Sequence, residues 1–250
     1  MLTLIGAGCG DDDDDHAGPG ETTSELSGTV QVFAAASLTD AFTEIGDAFI
    51  EANPDVTVEF NFAASSALAT QIQEGAPVDV FASADENNMQ KVVDTGEVTA
   101  DPEIFVTNTL EIAVPAGNPG GVDDLDDFAN PDLLIGLCAE EVPCGRFGRE
   151  VLANAGVTPS IDTNEPDVRS LLTKVEAGEL DAGIVYQTDV QSAGHTVEGI
   201  EIPTDVNVVA TYPIAPIAVT ENHEAAEAFI EFLQSGEGQE ILASYGFLQP

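Results

Sequence analysis

Ser37 stands where a short apolar run, Val30-Gln-Val-Phe-Ala-Ala-Ala36, gives way to the helical spacing of Leu38, Ala41, Phe42, Ile45 and Phe49. That pattern predicts a strand handing over to a helix, with Ser37 at the N-cap. A second run, alternating through Val56, Val58, Phe60 and Phe62, leads by way of Ala63-Ala-Ser-Ser-Ala-Leu68 into a further short helix, so Ser65 and Ser66 open it. Pro143-Cys-Gly145 precedes the spacing of Phe147, Val151 and Leu152, and Glu165-Pro-Asp-Val168 precedes that of Leu171, Leu172 and Val175. Both prolines sit where helix starts tolerate them. Each helix start exposes main-chain N–H groups without partners and about half a positive charge, and a serine adds a neutral O–H. One serine before one helix is no more than a cap. Four such starts are hardware for holding an anion without a formal countercharge.

The elements that must position these groups alternate along the chain. Strand candidates at 30–33, 56–62, 78–82, 110–115, 133–138 and 182–186 are separated by helical patterns, which predicts an α/β fold with mostly parallel sheets. Pro115-Ala-Gly-Asn-Pro-Gly-Gly121 reads as a surface loop. The run 206–219 reads as a long strand passing from one lobe back to another, and helices at 221–234 and 238–245 close the chain.

At 250 residues and 43% hydrophobic content, the chain can bury one large core or two modest ones. No run approaches the roughly 20 apolar residues that span a bilayer. The net charge of −41 argues against nucleic acid and anionic membrane surfaces as partners, and matches the acidic coat that halophilic proteins carry. Four of the five cations, Arg146, Arg149, Arg169 and Lys174, cluster around the last two helix starts, where they offset the global field.

Residues Leu2 to Gly8 are apolar or small, Cys9 follows, and Gly10 leads into Asp11 to Asp15. This is similar to the end of a lipoprotein signal, with Cys9 acylated and residues 1–28 forming a signal remnant and acidic tether. Gly6 in place of the usual leucine and the lack of a basic start depart from that pattern. In an exported chain, Cys138 and Cys144 are expected to form a disulfide. The alternative is a reactive thiol at Cys144, activated by its helix start. It lacks a base nearby in sequence, since the only histidines are His16, His195 and His223. There are too few ligands for a zinc site. Ser37 lies in no Gly-x-Ser-x-Gly elbow, so a hydrolase is disfavoured and no enzyme activity is expected. Asp40, Asp79, Asp85 and Asp167 are expected to serve as caps or surface charges, because a carboxylate lining the cleft would oppose an anion.

Seven segments, Phe33-Ala-Ala-Ala-Ser-Leu-Thr-Asp-Ala-Phe42, Phe62-Ala-Ala-Ser-Ser-Ala-Leu68, Gly75-Ala-Pro-Val-Asp-Val-Phe-Ala-Ser-Ala-Asp85, Val142-Pro-Cys-Gly145, Pro166-Asp-Val-Arg169, Gly183-Ile-Val-Tyr186 and Tyr245-Gly-Phe247, together resemble the molybdate-binding proteins of bacterial and archaeal molybdate ABC importers. The resemblance covers about 29–248 in the family's order and spacing. It implies a type II periplasmic-binding-protein fold, with one lobe of 29–108 plus 211–250, a second of 109–210, and a cleft between them. It also implies molybdate or tungstate as ligand, with no cofactor and molybdenum present only within the bound oxyanion. The implied contacts are the hydroxyl and N–H of Ser37, the same groups of Ser65, the N–H of Cys144, the N–H of Val168 and the phenol of Tyr186. An ABC permease and its ATPase are the implied partners of an extracytoplasmic monomer, and sulfate is the alternative oxyanion. The chain departs from the family at Cys144, often alanine there, and at Ala64-Ser65-Ser66, often three serines, so Ser66 could share the role of Ser65.

Overall fold

The computed structural model describes residues 26–98, 100–217 and 222–250. Cys9 and the proposed tether therefore lie outside the described residues, as do the last residues of the 206–219 run.

The chain begins with β1 (Gly28–Ala35), passes through a 3₁₀ turn (Ala36–Leu38) into α1 (Thr39–Ala52), and continues with β2 (Val56–Ala63), α2 (Ser65–Gln73), β3 (Val80–Ala82) and α3 (Glu86–Val93). β4 (Glu103–Pro115) then leads by a second 3₁₀ turn (Leu125–Ala129) to β5 (Ile135–Cys138), α4 (Pro143–Asn154), β6 (Thr163–Glu165), α5 (Val168–Glu176), β7 (Ala182–Tyr186), α6 (Gln187–Ala193) and β8 (Val197–Glu201). β9 (Val209–Pro216), α7 (His223–Gln234) and α8 (Gly236–Ser244) complete it.

The strands are ordered β2-β1-β3-β9-β4-β7-β5-β6, and β8 pairs with β4. β2, β1 and β3 run parallel, as do β6, β5 and β7. The four pairings that involve β4 or β9 are antiparallel. The expectation of mostly parallel sheets is corrected accordingly, and the physical reason is β4. Its first part, through Thr109, pairs with β9, and from Leu110 onward it pairs with β7 and β8. One long strand thus serves both halves: it runs against β7 in the second, while in the first β9 is the opposed strand, antiparallel to both β3 and β4.

α1 is fixed by its apolar face. Phe42 meets Phe60, Phe105 and Phe229, while Phe49 meets Phe229 and Phe232, in edge or tilted ring contacts. Fully burying an aromatic or aliphatic side chain stabilises by about 1.5–3 kcal/mol, so this cluster seats the start of α1 firmly against β2, β4 and α7. α5 buries Leu171, Leu172 and Val175 in the same way on the opposite half. Both helices consequently present their N-terminal ends to one place.

Candidate functional site

Six separate segments converge on a small cleft, lined by Ala36, Ser37, Ala64, Ser65, Ala84, Cys144, Asp167, Val168 and Tyr186, among others. Ser37 lies in the 3₁₀ turn that ends β1, Ser65 is the first residue of α2, Cys144 the second of α4 and Val168 the first of α5. At such positions the main-chain N–H has no acceptor within its own helix. The 3₁₀ turn, α2 and α4 also carry no side-chain cap, which leaves their opening donors for another acceptor.

The hydroxyls are prepared to donate. Ser65 Oγ accepts the N–H of Ala84 at 2.9 Å, so its own proton is available for the cleft. Ser37 Oγ lies 3.0 Å from the Tyr212 hydroxyl. Tyr186, at the end of β7, is 1% exposed, and its hydroxyl has no hydrogen-bond partner among the described residues. Burial pushes the Tyr186 pKa well above the usual tyrosine range, with Tyr212, Asp85 and Asp189 adding to the rise. The Tyr212 phenol is close enough to contribute to that shift without bonding geometry to Tyr186. Tyr186 is therefore a neutral O–H. An orphaned buried donor costs about 1–3 kcal/mol unless something accepts from it.

Among the described residues, the cleft lining includes no Lys, Arg or His. The cations stand one layer back. Arg146 Nη2 pairs with Asp85 at 2.8 Å, joining α4 to the N-cap of α3. Arg149 donates to the carbonyls of Cys138 (2.7 Å) and Gly145 (2.9 Å), which stitches the loop ahead of α4 to its first turn. Cys138 and Cys144 are bonded through their sulfurs and close the same loop. Gly145 makes this closeness possible, because a Cβ there would lie 1.9 Å from the carbonyl oxygen of Ala139.

The sequence pattern of bacterial extracellular solute-binding proteins matches residues 30–248. The chain belongs to that family. This solute-binding chain is 38% identical over 250 residues to the molybdate-binding protein ModA of Mycobacterium tuberculosis, an alignment covering 100% of the chain and 95% of that relative. It superposes with a TM-score of 0.79 on the periplasmic molybdate-binding protein of Azotobacter vinelandii, at 20% identity and covering 88% of this chain and 99% of that one. The sulfate-binding protein SubI of M. tuberculosis superposes equally well, with a TM-score of 0.79 at 20% identity, covering 88% of this chain and 86% of that one. At that identity the two structures establish the fold, which is the type II periplasmic-binding-protein fold.

Within this solute-binding fold, the structure brings Ser37, Ser65, Cys144, Val168 and Tyr186 to one cleft. Ser37 is not an N-cap, however. Ala35 holds that position for the 3₁₀ turn, α1 starts only at Thr39, and the Ser37 hydroxyl is turned to Tyr212 instead of to its own helix. Pro166 falls just ahead of the cap Asp167 and so lies outside α5. Asp85 and Asp167 are caps, as their positions suggested. Asp167 nevertheless lines the cleft, and its carboxylate is occupied by Ser170 N (2.8 Å) and Ser170 Oγ (3.0 Å). Tyr212 went unnoticed in the sequence, although it is the one tyrosine of the 206–219 run and alternates with apolar neighbours.

Proposed function

We propose that this chain is an extracytoplasmic binding protein that captures molybdate, and tungstate as well, and delivers the anion to an ABC permease driven by its ATPase. The observation that carries this reading is the buried Tyr186 hydroxyl, a neutral donor without an acceptor among the described residues, at the meeting point of four helix starts. The hydroxyls and N–H groups of Ser37 and Ser65, the N–H groups of Cys144 and Val168 and the Tyr186 phenol would take the oxygens of the anion. A buried tetrahedral dianion loses its hydration, at a cost of many kcal/mol unless every oxygen finds donors. Neutral donors at helix ends replace that water. Hydrogen phosphate carries a proton that a cleft of donors leaves facing another donor, which selects against it. Sulfate is rejected by size, since its shorter bonds do not reach all the donors together.

The same reading divides the chain into a lobe of 29–108 plus 211–250 and a lobe of 109–210, with β4 and β9 between them, and the permease distinguishes the closed, loaded form from the open one. It places the protein as a monomer outside the cytoplasmic membrane, held by a lipid on Cys9. No residue is assigned a catalytic role.

Calorimetry on protein stripped of ligand tests this reading. Molybdate and tungstate bind at micromolar affinity or tighter, and sulfate and phosphate far more weakly. Sulfate binding comparable to that of molybdate would make the protein a sulfate carrier instead.

A further inference from the structure

Arg169 follows Val168 in the first turn of α5, and its guanidinium reaches in two directions. Within its own half, Nη1 donates to Ser192 Oγ at 3.0 Å, and Nε stands 3.8 Å from Asp189 Oδ1. Asp189 is wholly buried, and its other oxygen accepts the main-chain N–H of Tyr186 at 3.1 Å. Across to the other half, Nη2 bonds the Asp40 carboxylate of α1, and Nε points to the carbonyl of Ala36 at 3.4 Å. Ala36 immediately precedes Ser37. One guanidinium therefore touches the helix start that offers Val168, the helix that follows Tyr186 and the turn that offers Ser37.

These contacts differ in what opening the cleft does to them. Ser192 and Asp189 belong to the same half as Arg169 and would stay with it. Asp40 and Ala36 belong to the half with β1 and α1 and would leave. Asp189 Oδ1 stands 3.8 Å from Nε with no hydrogen bond among the described residues, so the bond to Ser192 is what keeps the guanidinium on its own half. The cation is thus held in place before closure, and the bonds to Asp40 and Ala36 form only as the halves meet. A wide groove between the halves, lined by Thr39, Phe62, Asp167, Arg169 and Lys174, runs alongside and keeps this contact within reach of solvent.

We infer that Arg169 is a closure clasp, a positioning residue that sets how long the loaded cleft stays shut without touching the anion. The inference rests on the oxyanion-capture reading above. Removing a contact made only in the closed form destabilises that form relative to the open one, which shows in release more than in capture. The prediction for this site is therefore a change in release with little change in capture.

The experiment measures release of ⁹⁹Mo-molybdate from preloaded full-length protein into excess unlabelled molybdate, together with association rates, for wild type, Arg169→Gln, Asp40→Asn, the double variant and Arg169→Lys. Arg169→Gln and Asp40→Asn should each speed release about threefold to fivefold, while association changes less than about twofold. The double variant should release no faster than the faster single variant, because both singles break one contact. Arg169→Lys should fall between wild type and Arg169→Gln, since an ammonium can meet Asp40 but cannot bond Ser192 and Ala36 at the same time. Unchanged release in Arg169→Gln and Asp40→Asn, or single effects that multiply in the double variant, would overturn the clasp. Asp40→Asn perturbs the opposite half, so misfolding around α5 cannot mimic the predicted pattern. Wild-type protein that fails to load molybdate at all would sink the functional reading instead, and tight loading with unaltered release would sink the clasp alone.

Discussion

The Ser37 hydroxyl lies 3.0 Å from the Tyr212 hydroxyl, joining the first half's cleft donor to a strand that returns from the second half. When Tyr212 donates, Ser37 Oγ is free to direct its own proton into the cleft. Tyr212→Phe removes that partner and should weaken molybdate binding by about 1 kcal/mol, roughly fivefold, in calorimetry. Wild-type affinity in this variant would mean that Ser37 needs no orientation.

Tyr186 gives a sharper test because affinity and stability should move in opposite directions. Tyr186→Phe removes a donor to a charged ligand, so molybdate binding should weaken by about 1.5–3 kcal/mol. In the ligand-free protein it removes a buried hydroxyl that has no partner among the described residues, so the melting temperature should hold or rise. A variant that loses stability while keeping affinity would place Tyr186 in the core and not in the site.

The helix starts at Ser65, Cys144 and Val168 were legible because apolar spacing of 3.6 residues begins immediately after each one. Other features were not legible, for identifiable reasons. β6 and β8, Thr-Asn-Glu and Val-Glu-Gly-Ile-Glu, have too little apolar content to announce themselves, and they pair only because β5 and β4 offer edges beside them. The first half of β4, Glu103 to Thr109, was missed because its apolar run, Ile104-Phe105-Val106, is only three residues long and is cut off from Leu110 by Thr107-Asn-Thr109. The Ser37 N-cap expectation failed because β1 runs straight to Ala35 and a 3₁₀ turn intervenes before α1, a tightening that helical periodicity does not register. Spacing along the chain also could not show that Asp167 lines the cleft with its carboxylate turned away, or that Arg169 spans the halves.

Asp189 sets a pH dependence. Burial pushes its pKa up to about 7 from 3.8, Arg169 and the Tyr186 N–H lower it in part, and Asp40 and Asp167 raise it further. The folded protein keeps this proton to about pH 7 while the unfolded chain loses it near 3.8, so the group favours folding below 3.8 and that contribution is lost as pH rises through 7. Asp189→Asn removes the titration and can still accept the Tyr186 N–H. Urea unfolding at pH 5 and pH 8 should show the variant gaining about 2–3 kcal/mol on wild type over that interval. A constant difference would mean that Asp189 titrates normally.

The loop before α4 depends on close approach. Gly145→Ala would push α4 off the Ala139 carbonyl and move the Cys144 N–H, so molybdate affinity should fall at least tenfold even though no ligand-facing side chain changes. Replacing Cys138 and Cys144 together by serine should cost about 2 kcal/mol of stability, the chain-entropy value for so short a loop. It should cost less in affinity, since Arg149 still holds both ends of the loop. Calorimetry on the two variants, with unfolding measured in parallel, checks both expectations.

The central claim is that neutral donors from both halves enclose one molybdate. Anomalous diffraction at the molybdenum edge, from crystals grown with molybdate, tests it most directly. A single strong peak is expected in the cleft, with the anion's oxygens within hydrogen-bonding distance of Ser37, Ser65, Cys144 N, Val168 N and the Tyr186 hydroxyl. An empty cleft, or a peak seated on surface residues elsewhere, would contradict it.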